Sequence, residues 1–324
     1  MNYAADSLVF TALDMNEAPV HLPCPLEFEV VKSFDSPAHS FEGIFPCTRA
    51  YPELFQISVF AGSTKIFDGM IDEQSVTEND QGRQIKLLAR SVGAVLLDNE
   101  ALPQLYQSVS LTQIFNNHIR PYGYHSLVAD TDPSFDRYQI LKGVSEWEAF
   151  SNFFRNTAHG NAFIDENNNV VCRTKEPVGT IHTFSNREIS AQHYTNLKIT
   201  NNRYSPITRF VIRDNNGAYS YAYDNKLTNE LRLKRRRYLV PSVEYTLSSN
   251  GGSIDAALRI RRSMLGKLVI TLTCPEMLVS GVCDRVNLDT GLEQYKNLFV
   301  QQVRYKLAAS GVTTTLTLLN NDYV

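Results

Sequence analysis

Gly266-Lys-Leu-Val-Ile-Thr-Leu272, then Cys274-Pro275, Gly281-Val-Cys-Asp284-Arg-Val286-Asn-Leu288, Leu298-Phe-Val300-Gln-Gln-Val303 and Gly311-Val-Thr-Thr-Thr-Leu316-Thr-Leu318 follow one another with no helical period between them. Val286 and Leu288, and later Val312, Leu316 and Leu318, fall two or four residues apart. A period of two puts one side of a strand in a core and the other in water. The stretch predicts strands over 267–274, 282–288, 298–307 and 311–319.

Moving towards the N-terminus, one helix interrupts the β pattern. Ile254, Ala257, Leu258, Arg261, Met264 and Leu265 form its expected inner stripe, between Gly252-Ser253 and Gly266. Arg261 is a flaw in that stripe. Ahead of it lies Lys234-Arg235-Arg236-Arg237, between Leu233 and Tyr238-Leu239-Val240. Earlier still, 208–213 and 218–223 flank Asn215-Asn216-Gly217, and Asn-Gly between two strand-like runs is a strong hairpin signal. Tyr219, Tyr221 and Tyr223 alternate with Ser220 and Ala222 and are expected on one packed face of their strand.

The centre has a different period. Leu111, Ile114, Phe115, His118 and Ile119 follow a helical spacing, with Ser110 and Gln113 as a capping box and Gly123 as the end. Ser145 and Glu148 predict a second box, Trp147, Phe150, Ser151 and Phe154 a second stripe, and Gly160 its stop. A hairpin follows, with arms 162–164 and 170–172 around the polar tip 165–169. In the N-terminal part, residues 26–92 alternate about Gly- and Asn-containing turns at 61–63 and 78–82, which is a hairpin pattern.

The resulting fold class is mainly β with an α+β insertion. Two β-barrels flank a small α+β module: a first barrel domain at 1–99, the module at 100–176, and a second barrel domain with an inserted helix-containing segment at 177–324. No sequence repeat is visible, but the two β blocks share an element order, which suggests duplication of a fold.

Composition narrows the function. The chain has 324 residues, 43% hydrophobic, with 31 basic against 34 acidic residues. Disorder and a global pull towards nucleic acid or anionic lipid are therefore not expected. No run of eighteen apolar residues marks a membrane span. The start, Met1-Asn-Tyr-Ala-Ala-Asp6, lacks the pattern of a signal peptide, so folding in a cytoplasm is expected. The cysteines at 24, 47, 172, 274 and 283 are odd in number and form no CxxC pair, which argues for small buried hydrophobes.

Catalytic patterns are missing: no Gly-x-Ser-x-Gly, His-Glu-x-x-His, Walker A or dinucleotide-binding glycine motif occurs. Asn250-Gly251-Gly252 precedes a helix and reads as a flexible loop with Ser253 as cap. Asp130 and Asp132 sit in a turn-rich loop before Pro133, and Glu146 and Glu148 suit the first turn of a helix. The seven histidines show no mutual ligand spacing, and His118 reads as a satisfied core residue. No catalytic, cofactor or metal residue is assigned. Lys234, Arg235, Arg236 and Arg237 are candidates for an interface or channel lining once several copies assemble. They also suit a solvated strand edge that blocks further pairing.

Four stretches together resemble the baseplate hub proteins of contractile phage tails, the family that includes the phage late control D proteins. They are Phe67-Asp-Gly69-Met-Ile71-Asp72; Ile85 to Asp98, with Arg90-Ser91 and Leu96-Leu97-Asp98; Tyr106 to Ile119; and the C-terminal strands. Each is a packing pattern, so the resemblance lies in their order. One stretch departs from it, because where the family often has Pro-Gly-Asp-x-Val this chain reads Gly281-Val-Cys-Asp284-Arg-Val286.

The resemblance implies a non-enzymatic, homotrimeric, pseudo-hexameric ring of tail-tube-like barrels. Such a ring adapts a six-fold tail tube to a three-fold spike. The implied partners are the tail tube protein, the spike, other baseplate proteins and the tape measure protein. The implied place is the virion tail baseplate, assembled in the host cytoplasm. A phage cell-wall hydrolase or a carbohydrate-binding tail module is the alternative.

Overall fold

A computed structural model describes the whole chain except residues 1, 4–7, 81, 176–178, 215, 227–231, 233 and 242–250. Strand is the main element and helix the minor one, as the sequence predicts. The chain divides into two compact units. One holds 1–95, 178–198 and 271–318; the other holds 96–177, 199–270 and 319–324.

In the first unit, the alternating segments pair as a sheet. The Glu27–Ser33 strand pairs with Ser40–Pro46, which pairs with Gly82–Ser91, then Thr64–Asn79, Leu54–Ala61 and Leu8–Asp14. The other edge of Glu27–Ser33 takes Gln294–Ala308, with Val303 opposite Lys32 and Tyr305 opposite Val30. The C-terminal strands therefore extend the N-terminal sheet, since an open strand edge needs a partner for its amides.

Alternation dictates what this sheet buries. Phe28 and Val30 point inward from Glu27–Ser33, and Phe41 and Phe45 from Ser40–Pro46. Phe10 meets Phe28 and Phe45 edge-on at 5.3 and 5.5 Å, and Phe41 stacks on Phe67 at 5.5 Å. Each buried ring stabilises by about 1.5–3 kcal/mol. The Leu8–Asp14 strand supplies Phe10 and Ala12 to this core.

In the second unit both capping boxes form. Ser110 opens the Leu111–His118 helix with Gln113, and Ser145 opens Glu146–Ala158 with Glu148. Their apolar stripes meet through Phe115 and Phe150 at 6.1 Å. The predicted hairpin appears as Asn161–Ile164 paired with Val170–Arg173, and Leu127–Ala129 adds in parallel.

Two helix ends differ from expectation. His159, not Gly160, takes the left-handed position that closes the second helix, at φ 60°. Gly160 serves a different need, because a Cβ there would lie 2.1 Å from the Arg173 carbonyl oxygen. His159 is exposed, so His159→Gly relieves the left-handed strain at the loss of one bond to the Arg155 backbone. That variant is expected to gain roughly 1 kcal/mol, read as a higher denaturation midpoint at unchanged slope.

The Gly251–Leu265 helix has a different phase from the one predicted. Asp255, Ala256, Ile260 and Met264 are buried, while Ile254 and Arg261 are exposed. The cause is close approach at Gly252, where a Cβ would meet the Tyr221 hydroxyl at 2.3 Å and Ile212 at 2.9 Å. The small-residue side therefore turns inward, and Arg261 instead donates to the carbonyl of Val324. Ser253 lies inside this helix and does not cap it; Asn250 falls outside the described residues.

Four cysteines are buried as expected, and Cys24 is exposed. Burial holds the Cys274 thiol up at about 12, with the Glu276 charge adding to it, so it is inert at neutral pH.

Candidate interaction surface and the buried polar clusters

The basic run leads into the edge of a three-stranded sheet. Arg209–Arg213 is its centre, Tyr219–Asp224 is antiparallel on one side, and Arg236–Leu239 is parallel on the other. The predicted hairpin is present: Asp214 accepts amides from Asn216 and Ala218, and Gly217 has φ 86°. Asn215 lies outside the described residues. Lys234 and Arg235 precede the edge strand, while Arg236 and Arg237 lie within it. Leu233 is outside the described residues.

The face towards Gly251–Leu265 buries Phe210, Ile212 and Leu239 against Ala256 and Ile260. The other face carries Arg209, Val211 and Arg213, with Arg236 opposite Arg209 and Tyr238 opposite Val211. An irregularity between Ile212 and Arg213 changes the register of the tyrosine strand, so Tyr219 pairs with Arg213. Tyr219 therefore leaves the side of Tyr221 and Tyr223. It meets Tyr238 edge-on at 5.1 Å, and Arg236 lies 5.3 Å from the centre of the Tyr238 ring. The three tyrosines do not share one packed face, because the bulge flips one of them. A strict two-residue period hides this in the sequence.

Two buried polar clusters hold the units together internally. In the first unit, Asp284 accepts four hydrogen bonds: from the Thr180 amide at 2.8 Å, the Gly281 amide at 2.9 Å, the Ser280 hydroxyl at 3.0 Å and His182 Nε2 at 2.9 Å. Burial opposes its charge, but the bonds from His182, Gly281 and Ser280 and the His182 charge outweigh this. Its carboxyl is held below the ordinary 3.8. This is the Gly281–Val286 stretch, and Cys283 takes φ 75° so that the turn can bring these groups together. Arg285 is fully buried beside it, over the Phe299 ring at 4.9 Å, where alternation alone puts it in solvent. Ser280 and His182 both donate to Asp284, so the three side chains form a hydrogen-bonded staple centred on the carboxylate.

In the second unit, His118 Nδ1 meets Glu146 at 2.6 Å and His118 Nε2 meets Tyr106 at 3.0 Å. Tyr122 donates to the other Glu146 oxygen at 3.1 Å, and burial followed by this bond pushes its hydroxyl up. His118 is the satisfied core histidine that its helix position predicts. The pairing with Glu146 is missed in the sequence, where that residue reads as first-turn charge. Asp130 and Asp132 also have structural roles: they accept the Thr174 and Thr112 amides. A cleft of about 300 Å³ in this unit is lined by Asn152, Asn156, Asp255, Arg259 and Arg262, and Arg259 bonds Asp255 across its wall at 2.6 Å.

No helix among the described residues is long and apolar enough to cross a membrane. No family model matches the sequence, and no curated protein does. Solved structures do. The tail protein of Neisseria meningitidis aligns with a TM-score of 0.78 at 14% identity, covering 97% of each chain. The 43 kDa tail protein of prophage MuSo2 from Shewanella oneidensis gives 0.79 at 14% identity, covering 98% of this chain and 99% of that one. This is a phage tail protein fold. The Escherichia coli c3393 protein, a component of the type VI secretion system, shares the tail protein fold more loosely: 0.59 at 10% identity, over 96% of this chain and 76% of its own.

Proposed function

We propose that this chain is a structural hub of a phage-tail-type baseplate, similar to the late control D proteins, and performs no chemistry. The observation that carries this reading is a fold match running end to end with two tail proteins, leaving no segment of either partner unmatched beyond a few per cent. In this reading residues 1–99 and 177–324, the latter with an inserted helix-containing segment, supply two tail-tube-like barrels, and 100–176 the module between them. Three copies then present six barrels to a tail tube and three-fold symmetry to a spike. Other baseplate proteins and the tape measure protein are the remaining partners. The particle is the virion tail, assembled in the host cytoplasm, or a related contractile injection system. Lys234, Arg235, Arg236 and Arg237 stand as interface or channel residues of that ring.

Mass measurement tests the proposal directly. The expected species, alone or on mixing with the spike, is about 110 kDa of this chain, three times 36.6 kDa. Micrographs of that species are expected to show a ring of six similar lobes. A monomer at all concentrations, with or without the spike, sinks the hub.

A further inference from the structure

We propose that the open face of the Tyr219–Asp224, Arg209–Arg213 and Arg236–Leu239 sheet docks an acidic protein surface, with Arg213, Arg236, Tyr219 and Tyr238 as its anchors. The sheet has spent one face on the Gly251–Leu265 helix. On the other, Tyr238 is 59% and Tyr219 46% exposed, and Arg209, Arg213 and Arg236 are exposed beside them.

The charge on this face is unbalanced. Asp224 is its one acid among the described residues, and Arg209 takes both its oxygens, at 2.6 and 3.0 Å. Arg213 gives one donor to the Gly217 carbonyl at 3.2 Å. Arg236 has its aromatic neighbour and no acidic partner among the described residues. Two guanidinium groups thus keep forked donors that carboxylates match in geometry. A local positive face on a chain of net charge −3 selects an acidic patch on a partner.

The aromatics distinguish a protein partner from a nucleic acid. Rings that read bases offer open faces for stacking. Here Tyr219 and Tyr238 contact each other, and Arg236 covers Tyr238. Such a rigid, amphipathic cluster of Tyr and Arg is the composition of interface anchors. Asp224 also interrupts the field that a phosphate backbone would follow.

The test uses the intact chain in fluorescence anisotropy, with a labelled oligo-glutamate peptide and a labelled oligo-thymidine strand at low salt. Oligo-glutamate is expected to bind, and the double variant Arg236→Glu/Tyr238→Ala to weaken it by about tenfold or more. Arg213→Glu is expected to weaken it in the same direction. Arg83→Glu, in the other compact unit, makes an equal charge change per arginine and is expected to leave affinity within about twofold. All four side chains changed here are exposed, so circular dichroism is expected to match the parent. The proposal falls if oligo-glutamate does not bind, or if Arg83→Glu weakens it as much as Arg236→Glu/Tyr238→Ala. It also falls if oligo-thymidine binds more tightly than oligo-glutamate and loses that binding in the double variant.

Discussion

Replacing Asp284 with alanine is expected to lower stability by about 3–5 kcal/mol, or roughly 10 °C in melting temperature. Four donors converge on this carboxylate, and alanine strands all of them in a buried site: the Thr180 and Gly281 amides, the Ser280 hydroxyl and His182. Asp284→Asn keeps the volume and one acceptor oxygen but loses the charge that binds them, so it falls between the two. The pH profile gives a sharper signature. The folded-state carboxyl titrates below its unfolded value of 3.8. Its stabilisation is therefore fully present above that value and is lost as pH falls through the folded one. The stability gap between parent and Asp284→Asn is expected to shrink as pH falls below about 4, where the carboxylate takes up its proton. Urea denaturation at a series of pH values reads the gap. A gap that widens below about pH 4 contradicts the assignment.

Gly160→Val is expected to cost about 3 kcal/mol or more. The obstacle is backbone: the added Cβ would sit 2.1 Å from the Arg173 oxygen, with the Phe154 ring 2.7 Å away. Arg173 is opposite Asn161 in the hairpin, so it cannot retreat without breaking the pairing that shapes the Asn161–Ile164 strand. Neither can Phe154, which is fully buried in the helix core. Limited proteolysis is expected to show new cleavage within residues 146–173 while the first unit stays protected. His159→Gly, one residue earlier, moves stability the other way, so the pair separates steric approach from left-handed strain. A Gly160→Val protein with parental melting and protease resistance rules this geometry out.

Much of the fold was legible. The Ser110 and Ser145 capping boxes, the Asn-Gly hairpin and the alternation of Val286 and Leu288 are local patterns, and local hydrogen bonding and periodicity decide them. The phase of the Gly251–Leu265 helix was not legible, because Gly252 allows an approach that outweighs the apolar stripe. Nor was the position of Tyr219, since one irregular residue in a strand reverses every side chain beyond it. Of the candidate site, the basic run was visible as charge. Its aromatic partners were visible only as residue types, with no indication that Tyr219 and Tyr238 meet.

The sequence alone determined which segments become strand or helix, where most of them begin, and that no recognised catalytic motif is spelled out. Those properties depend on residues within a few positions of one another. Tertiary structure decided which distant groups meet: Val303 against Lys32, His182 against Asp284, His118 against Glu146, and Arg236 over Tyr238 beside Tyr219. Their pairing follows from strand order, register and a bulge, which are set by the free energy of the whole packed unit rather than by any one stretch of chain.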